Sequence, residues 1–199
     1  MTRPLAFVTC ASRGYGKLTA MAFAASGYDI VITARTANEG DAGDDKTGSL
    51  ETTADEVERR GAAVLPLPAD LLDDAEIGVA CRLTVEHWGA PDVVVNHICA
   101  QQRITSRLLP AMAEGAGGAV LTLGTPELGL AVDLALGAEF NDRAIKDFWI
   151  DPTGASAAAV AKVSVWLVAN PGSNDYIGKI VKASMLASDL GFVTADQGG

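Results

Sequence analysis

The stretch that most constrains the fold is an apolar run followed by a glycine-bearing turn and a helix-like segment. The run is Leu5–Val8, residues 9–16 read Thr-Cys-Ala-Ser-Arg-Gly-Tyr-Gly, and residues 17–25 carry apolar side chains at helical spacing. This order predicts a strand, a turn and a helix. N–H groups at the start of such a helix favour an anion, and Gly14 and Gly16 would let a diphosphate approach the backbone. A strand-to-helix turn that binds no ligand is the alternative.

A second strand is predicted at Tyr28–Thr33, after Ser26-Gly27 ends the helix. Its nearly continuous apolar run is typical of a parallel strand covered on both faces. Further strands are predicted at 63–68, 92–95, 119–123, 144–150 and 177–183. Helices are predicted at 50–61, 74–87, 101–114 (interrupted at Pro110), 127–140 and 156–168, with a short tail at 186–191. This alternation predicts an α/β fold of three layers, a doubly wound, mostly parallel sheet with helices on both faces.

Length and composition predict a single domain over residues 1–199. A chain with 49% hydrophobic residues can bury about 70% of its unfolded surface in one core at this size. The net charge of −10 argues against nucleic acid and anionic membranes as partners, since both bind basic patches. Three cysteines are too few for a disulfide framework or metal cluster, which favours a reducing, cytoplasmic setting. The apolar run Leu5–Ala11 is too short to span a membrane, and no cleavage-site pattern follows it.

Residues 9–16 resemble the T-G-x-x-x-G-x-G turn of the short-chain dehydrogenase/reductase family, with Cys10 in place of the first glycine. The resemblance covers nearly the whole chain. It implies a Rossmann-like dinucleotide-binding domain in which the cofactor phosphates lie against this turn. The cofactor-binding residues that it implies here are Ser12, Arg13, Gly14, Tyr15 and Gly16.

The end of the second strand predicts which nucleotide would bind. In dinucleotide-binding folds an acidic residue at this place bonds the ribose 2′-hydroxyl, whereas a basic residue accommodates a 2′-phosphate. The residue here is Arg35, and Arg13 could assist it, so NADP(H) is expected over NAD(H). Alternatively, both arginines are solvated surface residues. The loop 36–53, rich in Gly, Asp, Asn and Thr, is expected to border the ligand crevice.

Two further segments match the family where it contacts the rest of the cofactor. Asp70-Leu71 stands where the family has an aspartate and a hydrophobic residue beside the adenine ring. Alternatively, Asp70 or Asp73 caps the next helix. Asn96 matches the first residue of the family's Asn-Asn-Ala-Gly motif, and the next three residues, His97-Ile98-Cys99, depart from it. His97 could be a general base, but we expect an ordinary loop residue because no carboxylate partner is visible.

The catalytic residues of the family are mostly missing. Thr125 stands at the position of the family's catalytic serine, and its hydroxyl could polarise a carbonyl. Alternatively, Thr125 caps the following helix, which begins Pro126-Glu127. Counting back from Glu139 places the family's Tyr-x-x-x-Lys pair at Thr122 and Pro126, so neither group is present. The side chain of that tyrosine can act as an acid or base at neutral pH only if nearby cations, such as the lysine, stabilise its phenolate.

One possible substitute is Tyr176 with Lys179, but the spacing is wrong and Gly178 argues against a helix. We therefore expect Tyr176 to be structural. The segment Pro152–Gly154 loosely resembles the family's Pro-Gly turn beside the nicotinamide, with Thr153 interposed.

Two functions remain from the sequence. The first is NADP(H)-linked reduction of a small-molecule carbonyl, or the reverse oxidation of an alcohol, in which water or an unassigned group supplies the proton. The second is a catalytically inactive nucleotide-binding or scaffold protein that retains the fold. Homo-oligomers are common in the family and possible here, although the helices that usually build their interfaces are shortened.

Overall fold

A computed structural model describes residues 3–40, 47–97, 101–124 and 145–192 of the chain. Within these ranges seven strands form one sheet. The strands are β1 (Leu5–Thr9), β2 (Asp29–Ala34), β3 (Val64–Pro68), β4 (Val93–His97), β5 (Gly118–Leu123), β6 (Ile145–Asp151) and β7 (Ile180–Lys182).

Six α-helices lie among the described residues. They are α1 (Gly14–Ala25), α2 (Leu50–Glu58), α3 (Asp74–Trp88), α4 (Gln101–Glu114), α5 (Ala157–Ala169) and α6 (Ala183–Asp189). A 3₁₀ helix at Pro171–Tyr176 precedes β7. None of the helices in this part of the chain is long and apolar enough to cross a membrane.

The strands are ordered β3-β2-β1-β4-β5-β6-β7, and every neighbouring pair is parallel. The chain winds outward from β1 to β3 and then outward again from β4 to β7. The reversal lies between β1 and β4. In doubly wound sheets ligands bind at the carboxyl ends of the strands beside this reversal. The predicted fold class is confirmed.

Alternation of side chains along each strand divides the core into two clusters. Ala6 and Val8 of β1 point to the face covered by α1, α2, α5 and α6, which we call the α1 face. Leu5 and Phe7 point to the face covered by α3 and α4, which we call the α4 face. Both faces are apolar, which explains why β1 and β2 read as continuous hydrophobic runs.

One row of the α4 face is polar except for a tryptophan at its end. Thr33, Thr9, Asn96, Thr122 and Trp149 occupy the same level on five adjacent strands, and all are buried. Because this level lies at the carboxyl ends of the strands, the apolar core ends directly beneath the expected ligand crevice.

Three predictions about helices and strands were wrong. Pro110 does not interrupt α4, because it lies on the exposed side of the helix where the carbonyl that loses its donor can be hydrated. The strand predicted at 177–183 is only Ile180–Lys182, because Gly178 turns the chain at a φ of +69° and donates its N–H to the Asp147 carbonyl. Residues 186–191 are not a tail, since α6 covers 183–189.

Candidate functional site

The glycine turn after β1 leaves room for a ligand. Helix α1 begins at Gly14, three residues before the predicted Lys17, with a φ of +55°. A Cβ on Gly14 would meet nothing within 4 Å, so the space beside it is open. A Cβ on Gly16 would lie 2.3 Å from the Cys10 carbonyl oxygen. Gly16 therefore lets α1 pack directly on the end of β1, while Gly14 exposes backbone to the crevice.

Among the described residues, no side chain caps the start of α1. Helices α2, α3 and α5 are capped by the side chains of Ser49, Asp73 and Ser156. Arg13, the N-cap residue of α1, makes no such bond, and neither does Lys182 before the short α6 at the edge of the sheet. Uncapped N–H groups at a helix start favour an anion. At α1 they stand beside the open space at Gly14.

Cys10 has a backbone conformation that favours glycine. Its φ is +53°, the one positive value among the described non-glycine residues. This left-handed conformation costs a side-chain-bearing residue roughly 1–2 kcal/mol. The half-buried side chain packs against the apolar cluster of the α4 face. The turn thus keeps its glycine-like shape although the first glycine is missing.

The loop after β2 supports the glycine turn through hydrogen bonds and a close backbone contact. Arg13 Nη2 donates to the Gly48 carbonyl at 2.9 Å and to Thr36 Oγ1 at 3.1 Å. Gly48 has a φ of +107°, and a Cβ there would lie 2.6 Å from the carbonyl oxygen of Ser12, whose side chain is buried. The Glu39 carboxylate accepts the Gly48 N–H at 3.0 Å. The sequence predicted a loop here but did not identify this bracing.

Arg35 and Asp70 follow neighbouring strands at the same edge of the sheet. Arg35 comes directly after β2 and is exposed. The Ala69 N–H donates to the Ala34 carbonyl at 3.1 Å, which ties the segment before Asp70 to the end of β2. A ligand lying over the ends of β1, β2 and β3 would thus pass both residues.

Asp70 forms a turn, and Asp73 is the helix cap. Asp70 Oδ1 accepts the Leu72 N–H at 2.9 Å, and the Asp70 N–H donates to Glu76 Oε2 at 2.7 Å. Asp73 Oδ1 accepts from the N–H groups of Ala75 and Glu76 at the start of α3. The Leu71 side chain is buried in the apolar cluster of the α4 face.

Asn96 lies inside the sheet, beneath the crevice. It is fully buried, and its Nδ2 donates to Thr105 Oγ1 of α4 at 2.8 Å. Its Oδ1 has no hydrogen-bond partner among the described residues. This contact fixes the end of β4 to α4.

His97 is the last residue of β4 and not the loop residue that we expected. Its N–H donates to Thr9 Oγ1 at 2.8 Å, which joins the ends of β4 and β1. Burial lowers the pKa of the imidazole below its usual value, so the ring is neutral at pH 7. The ring centroid lies 6.5 Å from that of Tyr15, and Nε2 has no partner in the described part of the chain.

Tyr15 connects the glycine turn to the segment after β6. Its hydroxyl donates to the Ala155 carbonyl at 3.4 Å. The turn at 152–155 is closed by the Ala155 N–H, which donates to the Pro152 carbonyl at 3.0 Å. Tyr15 thus contacts both this turn and the ring of His97 at the end of β4.

The remaining catalytic predictions have mixed outcomes. Thr125, Ile98 and Cys99 lie outside the described residues, as does the helix expected at 127–140. The alignment that placed the family's tyrosine at Thr122 was wrong, because Thr122 is a buried residue of β5 and cannot begin a helix. Tyr176 packs edge-on against Trp166 with ring centroids 5.9 Å apart, as expected for a structural residue.

Comparison with known proteins finds similar sequences and similar folds. A family model for the short chain dehydrogenases matches residues 4–106. The hydroxysteroid dehydrogenase-like protein 2 of Bos taurus is 38% identical over 94 residues, which are 47% of this chain and 22% of that protein. The matched segment thus spans less than a quarter of that relative.

Solved structures share the fold over almost the full chain. The hydroxysteroid dehydrogenase of Escherichia coli superposes with a TM-score of 0.75 and 16% identity, covering 92% of this chain and 95% of that one. A metagenomic short-chain oxidoreductase in complex with NADP gives a TM-score of 0.74 and 18% identity, covering 90% and 96%. At these identities the likeness establishes the fold alone.

Proposed function

The chain belongs to the short-chain dehydrogenase family, and we propose that it binds NADP(H) and reduces a small-molecule carbonyl or oxidises the corresponding alcohol. The family consists of oxidoreductases that use nicotinamide cofactors. The choice of NADP(H), the substrate class and a cytoplasmic setting are proposals for this chain.

The observation that carries the proposal is the start of α1. No side chain of the described residues caps its N–H groups, and they stand beside open space at Gly14, next to the reversal between β1 and β4. A side chain at Gly14 would fill that space. This is the combination that a diphosphate requires, namely free donors, a favourable helix dipole and close access to backbone.

The nucleotide would lie along the carboxyl edge from β3 to β4. The backbone of Ser12 and Arg13, with Gly14, Tyr15 and Gly16 at the start of α1, would hold the diphosphate. Arg35 would hold the 2′-phosphate, because Arg13 already donates to Gly48 and Thr36. Asp70 and Leu71 would border the adenine, and Asn96 would support the strand beneath the nicotinamide.

Bound NADPH would supply the hydride, and the chain would have to orient the carbonyl and manage the proton. We propose that Thr125 donates a hydrogen bond to the carbonyl oxygen. The proton donor is not assigned. Water or a group not yet identified would fill this role.

A second candidate function is nucleotide binding without catalysis. The chain contains three tyrosines, at 15, 28 and 176, and none has a lysine four residues later. The family's tyrosine and lysine pair is therefore missing from the whole sequence. Without it a phenol would lose the cations that stabilise its phenolate near neutral pH.

Calorimetric titration with NADPH and NADH, followed by a panel of carbonyl substrates monitored by absorbance, tests both functions. Micromolar NADPH binding with weaker NADH binding supports the nucleotide site, and turnover then separates an enzyme from a binding protein. Binding of neither nucleotide would contradict the proposal. Light scattering on the same samples would establish whether the chain forms the homo-oligomer considered above.

A further inference from the structure

Two arginines of α4, one helical turn apart, reach across to the segment between β3 and α3. Arg103 Nη1 donates to the Leu72 carbonyl at 3.0 Å, and Nη2 donates to the Leu71 carbonyl at 3.2 Å. Arg107 Nη2 donates to Asp74 Oδ2 at 2.7 Å, at the first residue of α3. The guanidinium of Arg103 thus holds two consecutive carbonyls of the turn at 70–73.

The turn needs an external contact to keep its place. Internally it is closed by two bonds to Asp70, from the N–H of Leu72 to the carboxylate and from the N–H of Asp73 to the carbonyl. The Leu72 side chain is 66% exposed, whereas Leu71 is buried. Hydrogen bonds from a charged donor are about twice as strong as neutral ones. The Asp70 N–H and the Asp73 carboxylate tie the turn to α3, and Arg103 is the residue whose side chain ties it to α4.

The turn stands at the adenosine end of the proposed nucleotide site. Ala69 is bonded to the end of β2, and Arg35 follows that strand directly. In dinucleotide folds the ribose next to the adenine lies at the end of the second strand. The position of the turn at 70–73 thus shapes the space that an adenosine would fill.

We propose that Arg103 is a positioning residue for the adenosine half of the nucleotide, acting by holding the carbonyls of Leu71 and Leu72. The assignment rests on the proposed NADP(H) function. Arg107 provides the matched contrast, because it lies on the same helix and also reaches the β3–α3 region. It contacts the side chain of Asp74 and not the carbonyls of the turn.

The first test uses the protein without nucleotide. Amide hydrogen exchange is measured at Leu72 and Asp73 in the wild type, Arg103→Ala, Arg103→Lys and Arg107→Ala. We expect exchange at both amides to rise about fivefold or more in Arg103→Ala, with partial recovery in Arg103→Lys and no change in Arg107→Ala. Unchanged exchange in Arg103→Ala would overturn the proposal. If Arg103→Ala also loses protection in β4, that variant is destabilised as a whole and is set aside. The proposal then requires faster exchange at Leu72 and Asp73 in Arg103→Lys than in Arg107→Ala, and equal exchange in these two variants would overturn it.

The second test separates the two halves of the nucleotide. Calorimetry with 2′,5′-ADP and with reduced nicotinamide mononucleotide is carried out on the same variants. Arg103→Ala should weaken 2′,5′-ADP about tenfold and leave the mononucleotide unchanged, with part of the loss restored by Arg103→Lys. Equal effects on both ligands, or none on 2′,5′-ADP, would refute the positioning role. If the wild type binds neither ligand, the proposed function fails, and the exchange experiment still decides whether Arg103 holds the turn.

Discussion

The two halves of the chain retain different parts of one family's design. Residues 4–106 match the family model and contain the glycine turn, Arg35 and Asn96. The later part contributes β5, β6 and β7 to the same parallel sheet, yet the family's tyrosine and lysine are missing from the sequence. A sheet needs only apolar strands of the right length and spacing, whereas catalysis needs particular side chains at particular places. The fold is therefore retained more readily than the catalytic site.

The first half should be the more sensitive to small changes near the nucleotide turn. Gly16→Ala places a Cβ 2.3 Å from the Cys10 carbonyl oxygen and 2.7 Å from that of Thr9, so the end of β1 or the start of α1 must move. We expect the free energy of unfolding to fall by about 3 kcal/mol and NADPH binding to be lost. Urea denaturation measures the stability.

Gly115→Ala is the control for this prediction. Its Cβ would meet ordinary contacts of 3.5 Å or more, at the carboxyl end of α4. This variant should stay within about 0.5 kcal/mol of the wild type. If both variants unfold at the same denaturant concentration, the close packing of α1 on β1 has no special importance.

Asp147 in the second half and His97 in the first half should change the stability of the protein in opposite directions as pH rises. Burial raises the pKa of Asp147 in β6 from 3.8 to about 6, so the folded protein binds this proton more tightly than the unfolded chain does. Its contribution to stability is therefore complete below pH 3.8 and lost as pH rises towards 6. Asp147→Asn should remove this loss and increase stability at pH 7 by about 2 kcal/mol, as measured by urea denaturation from pH 4 to 8.

The effect of His97 on the pH dependence of stability has the opposite sign. Because its folded pKa is lowered below 6.5, the unfolded chain binds the proton more tightly, and stability falls as pH drops below 6.5. His97→Asn should remove only the loss of stability on the acidic side of the plot of unfolding free energy against pH.

The outcome that would contradict the Asp147 prediction is an Asp147→Asn variant whose stability matches that of the wild type at every pH. That result would show that Asp147 is not desolvated in the folded protein.

The nucleotide preference is assigned to one exposed side chain of the first half. Arg35→Ala should weaken NADPH by roughly 1–3 kcal/mol and barely change NADH, as expected for a charge-assisted phosphate contact. Arg59→Ala, an exposed arginine at the end of α2, serves as the control for loss of a surface cation. Calorimetry with both nucleotides provides the measurement, and equal weakening of NADPH and NADH by Arg35→Ala would refute the assignment.

The smallest expected effect concerns the altered glycine. Cys10→Gly relieves a φ of +53° but loses the packing of a partly buried side chain, so stability should rise by only about 0.5–1 kcal/mol. NADPH affinity should increase if the thiol obstructs the diphosphate. Cys10→Ala keeps the strained φ and should not gain stability. If the alanine and glycine variants are equally stable, the backbone at residue 10 is not strained.

The sequence predicted the strands and most helices because both depend on local pattern. Tyr28–Thr33 and residues 119–123 are apolar runs of strand length, and they became β2 and β5. The prediction at Pro110 was wrong because the effect of a proline depends on which side of the helix it occupies. Which side that is depends on tertiary packing, and the local pattern does not contain it.

Residues of the candidate site were predictable only where the local backbone geometry requires a particular residue type. Gly14 and Gly16 were predictable because a positive φ favours glycine at the first position and a Cβ at the second would clash with the Cys10 carbonyl. The role of Arg13 in bracing the loop was not, because its partner Gly48 is 35 residues away. His97 was expected in a loop because a single histidine carries no signal of strand pairing. The contribution of Arg103 likewise depends on a contact 31 residues away in sequence.

The central claim is that the first half of the chain holds a nucleotide at the start of α1. Titration of NADPH into ¹⁵N-labelled protein, followed by NMR, tests it residue by residue. We predict shifts at the amides of Gly14, Gly16, Arg35 and Leu72, and none in α6. Absence of any shift, or shifts confined to β7 and α6, would contradict the claim.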